Sequence, residues 1–339
     1  MEERKKAWSE RRSTTLKDVA KSVGVSESTA SVILNGARSG TRVSDRTRQS
    51  VVDAAKLLGY RPNNLARSLL TGRTNRIGMY SGHGLDARNL FYAELLGGVF
   101  EVSQSKGLNT VVHTSGNGSR MLLDLVSDRA VDGLIVHAPG NDPILGLLDE
   151  LRAPAVSVCD QIPGLASICV DDHTGGELLA QHVASLGHKK VLYKLCMLPP
   201  TSANHRQASF VKTATALGLE VLVSEHGPDQ SKILTPEELD LLTVGSDRFT
   251  AVVAWSDYAG EYVCRSLRDH GISIPDQVAV LGFDGLRSFF SPVFELTTIR
   301  APWAQVGKVA VETLLQLIAG ETVPTVTTLP VEFVRGCTS

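Results

Sequence analysis

The sequence predicts an α/β protein in two parts: a small helical head containing a helix-turn-helix, then a larger body of doubly wound parallel sheet in two lobes. Three observations predict it. Residues 1–76 hold 16 Lys and Arg against 7 Asp and Glu, a net of +9, whereas residues 77–339 hold 18 against 29, a net of −11. Helical apolar spacing fills 15–58, and from Arg76 onward short β-branched runs alternate with amphipathic segments. A chain of 339 residues with 42% hydrophobic content has the length for two or three packed domains and excludes a disordered protein.

In the head, Thr15 is placed to cap a first helix, with Asp18 three residues on, close to a capping box. Leu16, Val19, Ala20 and Val23 follow the spacing of one apolar helix face. Gly24 supplies a turn, and Ser26 caps a second helix that turns Ala30, Ile33 and Leu34 inward before Asn35-Gly36 ends it. After a polar loop from Ala37 to Val43, Ser44 opens a third helix with Val51, Val52, Ala55 and Leu58 on its core face. Two short helices around a Gly-containing turn describe a helix-turn-helix. Tyr60-Arg61-Pro62-Asn63 breaks the third helix, and residues 64–70 then carry good helix formers before Thr71-Gly72. Two turns are marginal alone, so this segment reads as a conditional helix between the two parts. The domains are therefore a flexible basic arm at 1–14, the helix-turn-helix at 15–61, a hinge helix and linker at 62–76, and the body at 77–339.

In the body, strands are expected at 77–80, 110–113, 133–136, 155–159, 168–170, 191–196, 220–224, 251–255, 278–283 and 296–299. Helices are expected between them, at 91–106, 175–187, 204–217, 258–270 and 302–319. Such alternation over the whole body makes two doubly wound lobes, with a ligand crevice at the carboxyl ends of the strands.

Several function classes drop out. The five cysteines are odd in number, scattered and nowhere spaced as CxxC, which reads as reduced thiols in a cytoplasmic protein. The charged N-terminus is no secretory signal, and no apolar run approaches the roughly 18 residues of a membrane span, so no membrane partner is expected. There is no GxSxG elbow, Walker loop, HExxH or dinucleotide fingerprint in the right setting. His83, His113, His137 and His173 stand singly rather than as a metal set. No catalytic residue, cofactor or metal is expected. The other class weighed, a free-standing sugar-binding protein, has no use for residues 15–72.

The second helix of a helix-turn-helix puts its N-terminal residues against base edges in the major groove. Here these are Ser26, Glu27, Ser28, Thr29 and Ser31, with Asn35 at the far end. Glu27 has the chemistry to accept from a cytosine N4 amine. Ser26 and Thr29 either cap the helix or meet phosphate, and the two roles are compatible.

The run TLKDVAKSVGVSESTASVILNG at 15–36, followed by VSDRTRQSVVDAAKLLGYRPNNLARSLLTGRTNRIG, resembles the lac/gal repressor (LacI/GalR) family of bacterial transcription regulators. The resemblance continues through VDGLIV at 131–136, VDDHTGGELLAQHVASLGHKKV at 170–191, FTAVVAWSDYAGEYVCRSLRDHGISIPDQVAVLGFDG at 249–285 and LTTIRAPWAQVG at 296–307. It implies a repressor that binds a double-stranded, pseudo-palindromic DNA operator under the control of a small-molecule effector. It also implies a core like that of periplasmic sugar-binding proteins. By the resemblance, Glu27 and Ser28 sit where residues vary with operator sequence, and Leu16, Asn63, Ala66 and Arg67 join the DNA surface. PNNLARSLLTG at 62–72 is similar to the family's hinge helix, which pairs between subunits and wedges a leucine, here Leu69, into the minor groove. That pairing implies a homodimer, and the short stretch after the last strand pattern favours a dimer over a tetramer. The loop at 36–43 is longer than is usual in the family, and its Arg38 and Arg42 either add phosphate contacts or belong to a solvated loop. In the core, Arg206 matches the family's ligand-binding arginine, while Asp257 and Asp284 match acidic positions near the cleft. Asp257 has a second reading as a cap for the helix after it. Tyr80, Phe91 and Trp255 are candidate stacking walls, with Phe91 equally suited to core. Gln230 stands where several members have an aromatic ring.

Overall fold

The computed structural model describes residues 14–35, 43–61, 68, 72–82, 84–85, 89–114, 130–140, 142–150, 153–227, 229, 232–286 and 295–339. The chain divides into two compact units between Arg76 and Ile77, with Asp132 grouped with the first. That grouping has a local cause: the Asp132 carboxylate accepts from the backbone N–H groups of Thr74 and Asn75 at 2.7 and 2.8 Å.

In the head, α1 (Leu16–Val23) starts with a complete capping box between Thr15 and Asp18 and stops at Gly24, whose φ of 69° is the left-handed geometry glycine adopts without strain. In α2 (Glu27–Asn35) the Ser26 hydroxyl accepts from Thr29 N–H at 3.1 Å. Ser44 does the same for Thr47 at the start of α3 (Asp45–Leu57). Each such cap is worth about 1 kcal/mol. Val19, Ala20, Ala30, Val51 and Ala55 form the buried centre, with Leu16, Ile33, Leu34 and Tyr60 packed against it. Leu58 was expected on the core face of α3, but it is 38% exposed. The helix ends one residue earlier, Gly59 takes a left-handed turn at φ 65°, and Tyr60 folds back to pack in its place. The expected hinge helix lies outside the described residues except for Ser68, which is helical and whose carbonyl accepts from Gly72 N–H.

Among the described residues the body holds two six-stranded sheets. The first has the order β11-β5-β4-β3-β1-β2, with β1 (Arg76–Ser81), β2 (Asn109–Thr114), β3 (Gly133–His137), β4 (Ala155–Val158), β5 (Ala166–Val170) and β11 (Val326–Leu329). The second runs β12-β10-β9-β8-β6-β7, with β6 (Lys190–Cys196), β7 (Glu220–His226), β8 (Ala251–Ala254), β9 (Ala279–Asp284), β10 (Thr297–Arg300) and β12 (Glu332–Val334). The described pairings are parallel, save that β12 runs antiparallel to β10. Helix α4 (Leu90–Ser105) belongs to the first lobe, and α5 (Asp172–Ser185), α6 (Thr201–Ala216), α7 (Pro236–Thr243) and α8 (Asp257–Asp269) to the second. Helix α9 (Trp303–Ile318) returns to pack on α4, β3, β4 and β5. The chain therefore passes between the lobes three times, after β5, after β10 and after β11. Crossing strands of this kind put the carboxyl ends of both sheets at one cleft.

All ten expected strands and all five expected body helices formed within three residues of their expected ends. The additions are α7, a 3₁₀ segment at Pro143–Glu150, and the short strands β11 and β12. One glycine shapes the site directly. A Cβ on Gly176 would lie 2.5 Å from the Arg206 carbonyl oxygen, so α5 approaches α6 this closely only because residue 176 has no side chain.

Candidate ligand cleft and DNA-reading helix

At the N-terminus of α2, the hydroxyls of Ser26, Ser28 and Thr29 form one exposed cluster, with Ser26 Oγ 2.8 Å from each of the other two. Glu27 is exposed beside them, and Ser31 is half-buried. The helix thus offers a hydroxyl-rich tip, chemistry suited to phosphate and base edges. Leu16 is half-buried against the head core. The backbone of Asn35 ends α2, while Arg38, Arg42, Asn63, Ala66, Arg67 and Leu69 lie outside the described residues.

A cavity of about 330 Å³ opens between the two lobes of the body. Four of the expected residues line it: Phe91, Arg206, Trp255 and Asp284. Arg206, on α6, is only 4% exposed. Its Nε donates to Asp172 Oδ1 at 2.5 Å, its Nη1 donates to the Trp255 carbonyl at 3.2 Å, and its guanidinium lies 3.7 Å above the Phe283 ring. A buried cation needs such partners to offset lost hydration. Asp284 ends β9 with φ 133°, a backbone region that non-glycine residues seldom occupy and that clusters at functional sites. Burial pushes its carboxyl well above the usual carboxylate range; the Arg206 guanidinium pulls it back, and the nearby Asp257 charge pushes it up again.

Asp257 does not line the cavity. It is the first residue of α8, whose cap is Ser256. Its carboxylate accepts from Thr298 Oγ1 at 2.5 Å and from Leu286 N–H at 2.9 Å, tying α8 to β10 and to the turn after Asp284. Tyr80 is also outside, buried in first-lobe core with its hydroxyl donating to Asp142 at 2.9 Å. Gln230 falls outside the described residues.

Sequence reasoning missed several lining groups. Tyr92, His137 and Trp303 join Phe91 in an aromatic wall, with Phe91 meeting Trp303 edge-on at 4.9 Å between centroids. Asn89, Ser202 and Ser256 add hydrogen-bonding groups. Asp172, the partner of Arg206, stands in the VDDHTGG run but carried no mark of its role. Asp160, after β4 in the first lobe, accepts from Ser202 N–H at the start of α6 in the second, at 2.7 Å. That helix has Pro200 at its cap position and no side-chain cap of its own, so the opposite lobe supplies one. Among the described residues no group of three His, Cys, Asp or Glu could hold a metal ion.

Residues 15–63 match the family described as bacterial regulatory proteins, lacI family, and residues 180–339 match the periplasmic binding protein-like domain. The HTH-type transcriptional repressor PurR of Mannheimia succiniciproducens is 30% identical over 318 residues, covering 90% of this chain and 92% of that one. The chain belongs to the lacI family. The ribose operon repressor of Haemophilus influenzae is 29% identical over 90% of this lacI-family chain and 92% of its own length. Among solved structures, the lac repressor dimer bound to operator and the anti-inducer ONPF superposes with a TM-score of 0.82 at 25% identity, covering 96% of this chain and 99% of that one. The complex of the transcriptional regulator CelR with cellobiose, also 25% identical, superposes at 0.69 over 96% of this chain and 100% of that one. No described helix of this lacI-family protein is long and apolar enough to cross a membrane.

Proposed function

We propose that this lacI-family regulator acts as a dimeric repressor whose operator affinity is set by a small neutral effector bound between the lobes. The observation that carries the reading is the 330 Å³ cavity that joins an aromatic wall to Arg206 and Asp284 in the same chain as the helix-turn-helix. The Arg206 charge is already paired with the Asp172 carboxylate and also faces the Asp284 carboxyl. Among the described lining residues there is therefore no second cation to meet a phosphorylated ligand. It offers carboxylate and guanidinium edges for vicinal hydroxyls and rings for stacking, which suits a free sugar or a nucleoside. Effector contacts in this reading come from Phe91, Arg206, Trp255 and Asp284. Asp257 supports the Asp284 turn through Leu286 N–H, while Tyr80 belongs to the first-lobe core.

DNA contacts come from Leu16, Ser26, Glu27, Ser28, Thr29, Ser31 and Asn35. The loop arginines Arg38 and Arg42 and the hinge residues Asn63, Ala66, Arg67 and Leu69 complete the set. Ligand binding changes lobe closure, and closure biases a short hinge helix at 64–70 that is marginal alone. The protein regulates and does not catalyse. Thermal-shift screening against sugars, nucleosides and their phosphates tests the effector class. A neutral ligand is expected to raise the melting temperature of the wild type and not that of Asp284→Ala. Stabilisation by phosphorylated ligands alone would overturn the class.

A further inference from the structure

We propose that His226, which lies behind the cavity rather than in its wall, is a positioning residue that fixes the Trp255 indole at the cavity, and that protonating His226 releases it. The inference rests on the cavity being the effector site only for its consequence; the contact itself is independent of any ligand.

The hydrogen bonds assign the tautomer. His226 Nδ1 sits 2.9 Å from the Gly227 carbonyl, an atom that can only accept, so Nδ1 carries the proton. Nε2 is then a bare acceptor, and Trp255 Nε1 donates to it at 3.2 Å. The indole N–H, the single polar group of that side chain, is thereby spent inside the second lobe. What Trp255 presents to the cavity is apolar ring, suited to stacking rather than to donating.

The surroundings hold the imidazole neutral. His226 is only 4% exposed, and its burial lowers its affinity for a proton, as does the Lys194 ammonium on β6; the Gly227 carbonyl and the Glu238 carboxylate on α7 act the other way without overcoming burial. Lys194 and Glu238 are mutually paired, with Lys194 Nζ donating to Glu238 at 2.8 Å, so the Glu238 carboxylate is already engaged by a cation. If His226 does take a second proton, Nε2–H faces the indole N–H, donor against donor, and the bond that orients Trp255 is lost. The cavity wall then loosens in acid while the rest of the lobe stays in place.

The chain has three tryptophans, Trp8, Trp255 and Trp303, so a nitrogen–proton correlation spectrum of the full-length protein carries three indole signals. The Trp255 signal is assigned by its disappearance in Trp255→Phe. Lowering the pH from 7.5 to 5 is expected to shift it upfield, with a midpoint below the ordinary histidine value. In His226→Gln the amide oxygen still accepts, and the signal should stay downfield across the range. In His226→Leu it should sit at neutral pH where the wild type arrives only in acid. A Trp255 signal that does not titrate in the wild type overturns the proposal without recourse to a variant. So does one that titrates unchanged in His226→Gln, since another histidine would then be responsible.

Discussion

At Arg206 one buried guanidinium is paired with the Asp172 carboxylate and faces the Asp284 carboxyl, and the arithmetic of that trio governs the site. Removing the cation strands both acids away from water, so Arg206→Ala should cost about 3–5 kcal/mol, read as a fall in the urea midpoint. Asp284→Asn should behave differently. The folded state holds this carboxyl above its unfolded value, so the folded protein binds the extra proton. The stability that this proton brings is fully present below about pH 4 and is lost as pH rises through the raised value. The Asn variant has no such loss, so its stability relative to wild type should improve steadily from about pH 4 to neutrality. A constant gap would contradict the assignment. The sequence made Arg206, Asp284 and Trp255 legible as lining residues through the runs around them, and Phe91 only as an aromatic equally suited to core. Asp172, Asp160, Tyr92 and Trp303 were not, because what makes them part of the site is a partner dozens or hundreds of residues away.

At the scale of elements, the local signals were strong wherever one segment determines its own structure. Thr15, Ser26 and Ser44 each cap a helix where a short polar side chain precedes an apolar repeat, and ten β-branched runs became strands. Elements whose stability is borrowed were harder to read. β11 and β12 are short and lie at sheet edges, with alternating or part-exposed residues in place of an apolar run. Helix α6 begins at a proline and takes its cap from Asp160 in the other lobe. Asp160→Ala should therefore cost about 1 kcal/mol in thermal stability, with Asp160→Asn retaining most of it because an amide oxygen still accepts. Equal losses in the two variants would show that the cap contributes nothing. For the hinge, Leu69→Ala should weaken operator binding and DNA bending with no change in the unfolding of the body; unchanged bending would remove the wedge.

Over the whole molecule, a net charge of −2 conceals a head segment of +9 and a body of −11. The head has the charge to displace counterions from DNA, and the body has the charge to stay off it. If Arg38 and Arg42 meet phosphate, alanine at both should reduce the salt slope of operator binding by up to about two ions, and an unchanged slope would remove them from the interface. Two sheets, a cleft at their carboxyl ends and a capped helix-turn-helix are parts of one device only if the two ligands are coupled. The direct test is to select an operator from genomic fragments and measure its affinity for the full-length protein, with and without the compound that most stabilises the body. With coupling, the compound changes operator affinity by roughly 5–150-fold, and operator DNA changes the compound's affinity by the same factor. An operator affinity that does not move when the cleft is saturated would contradict the coupling.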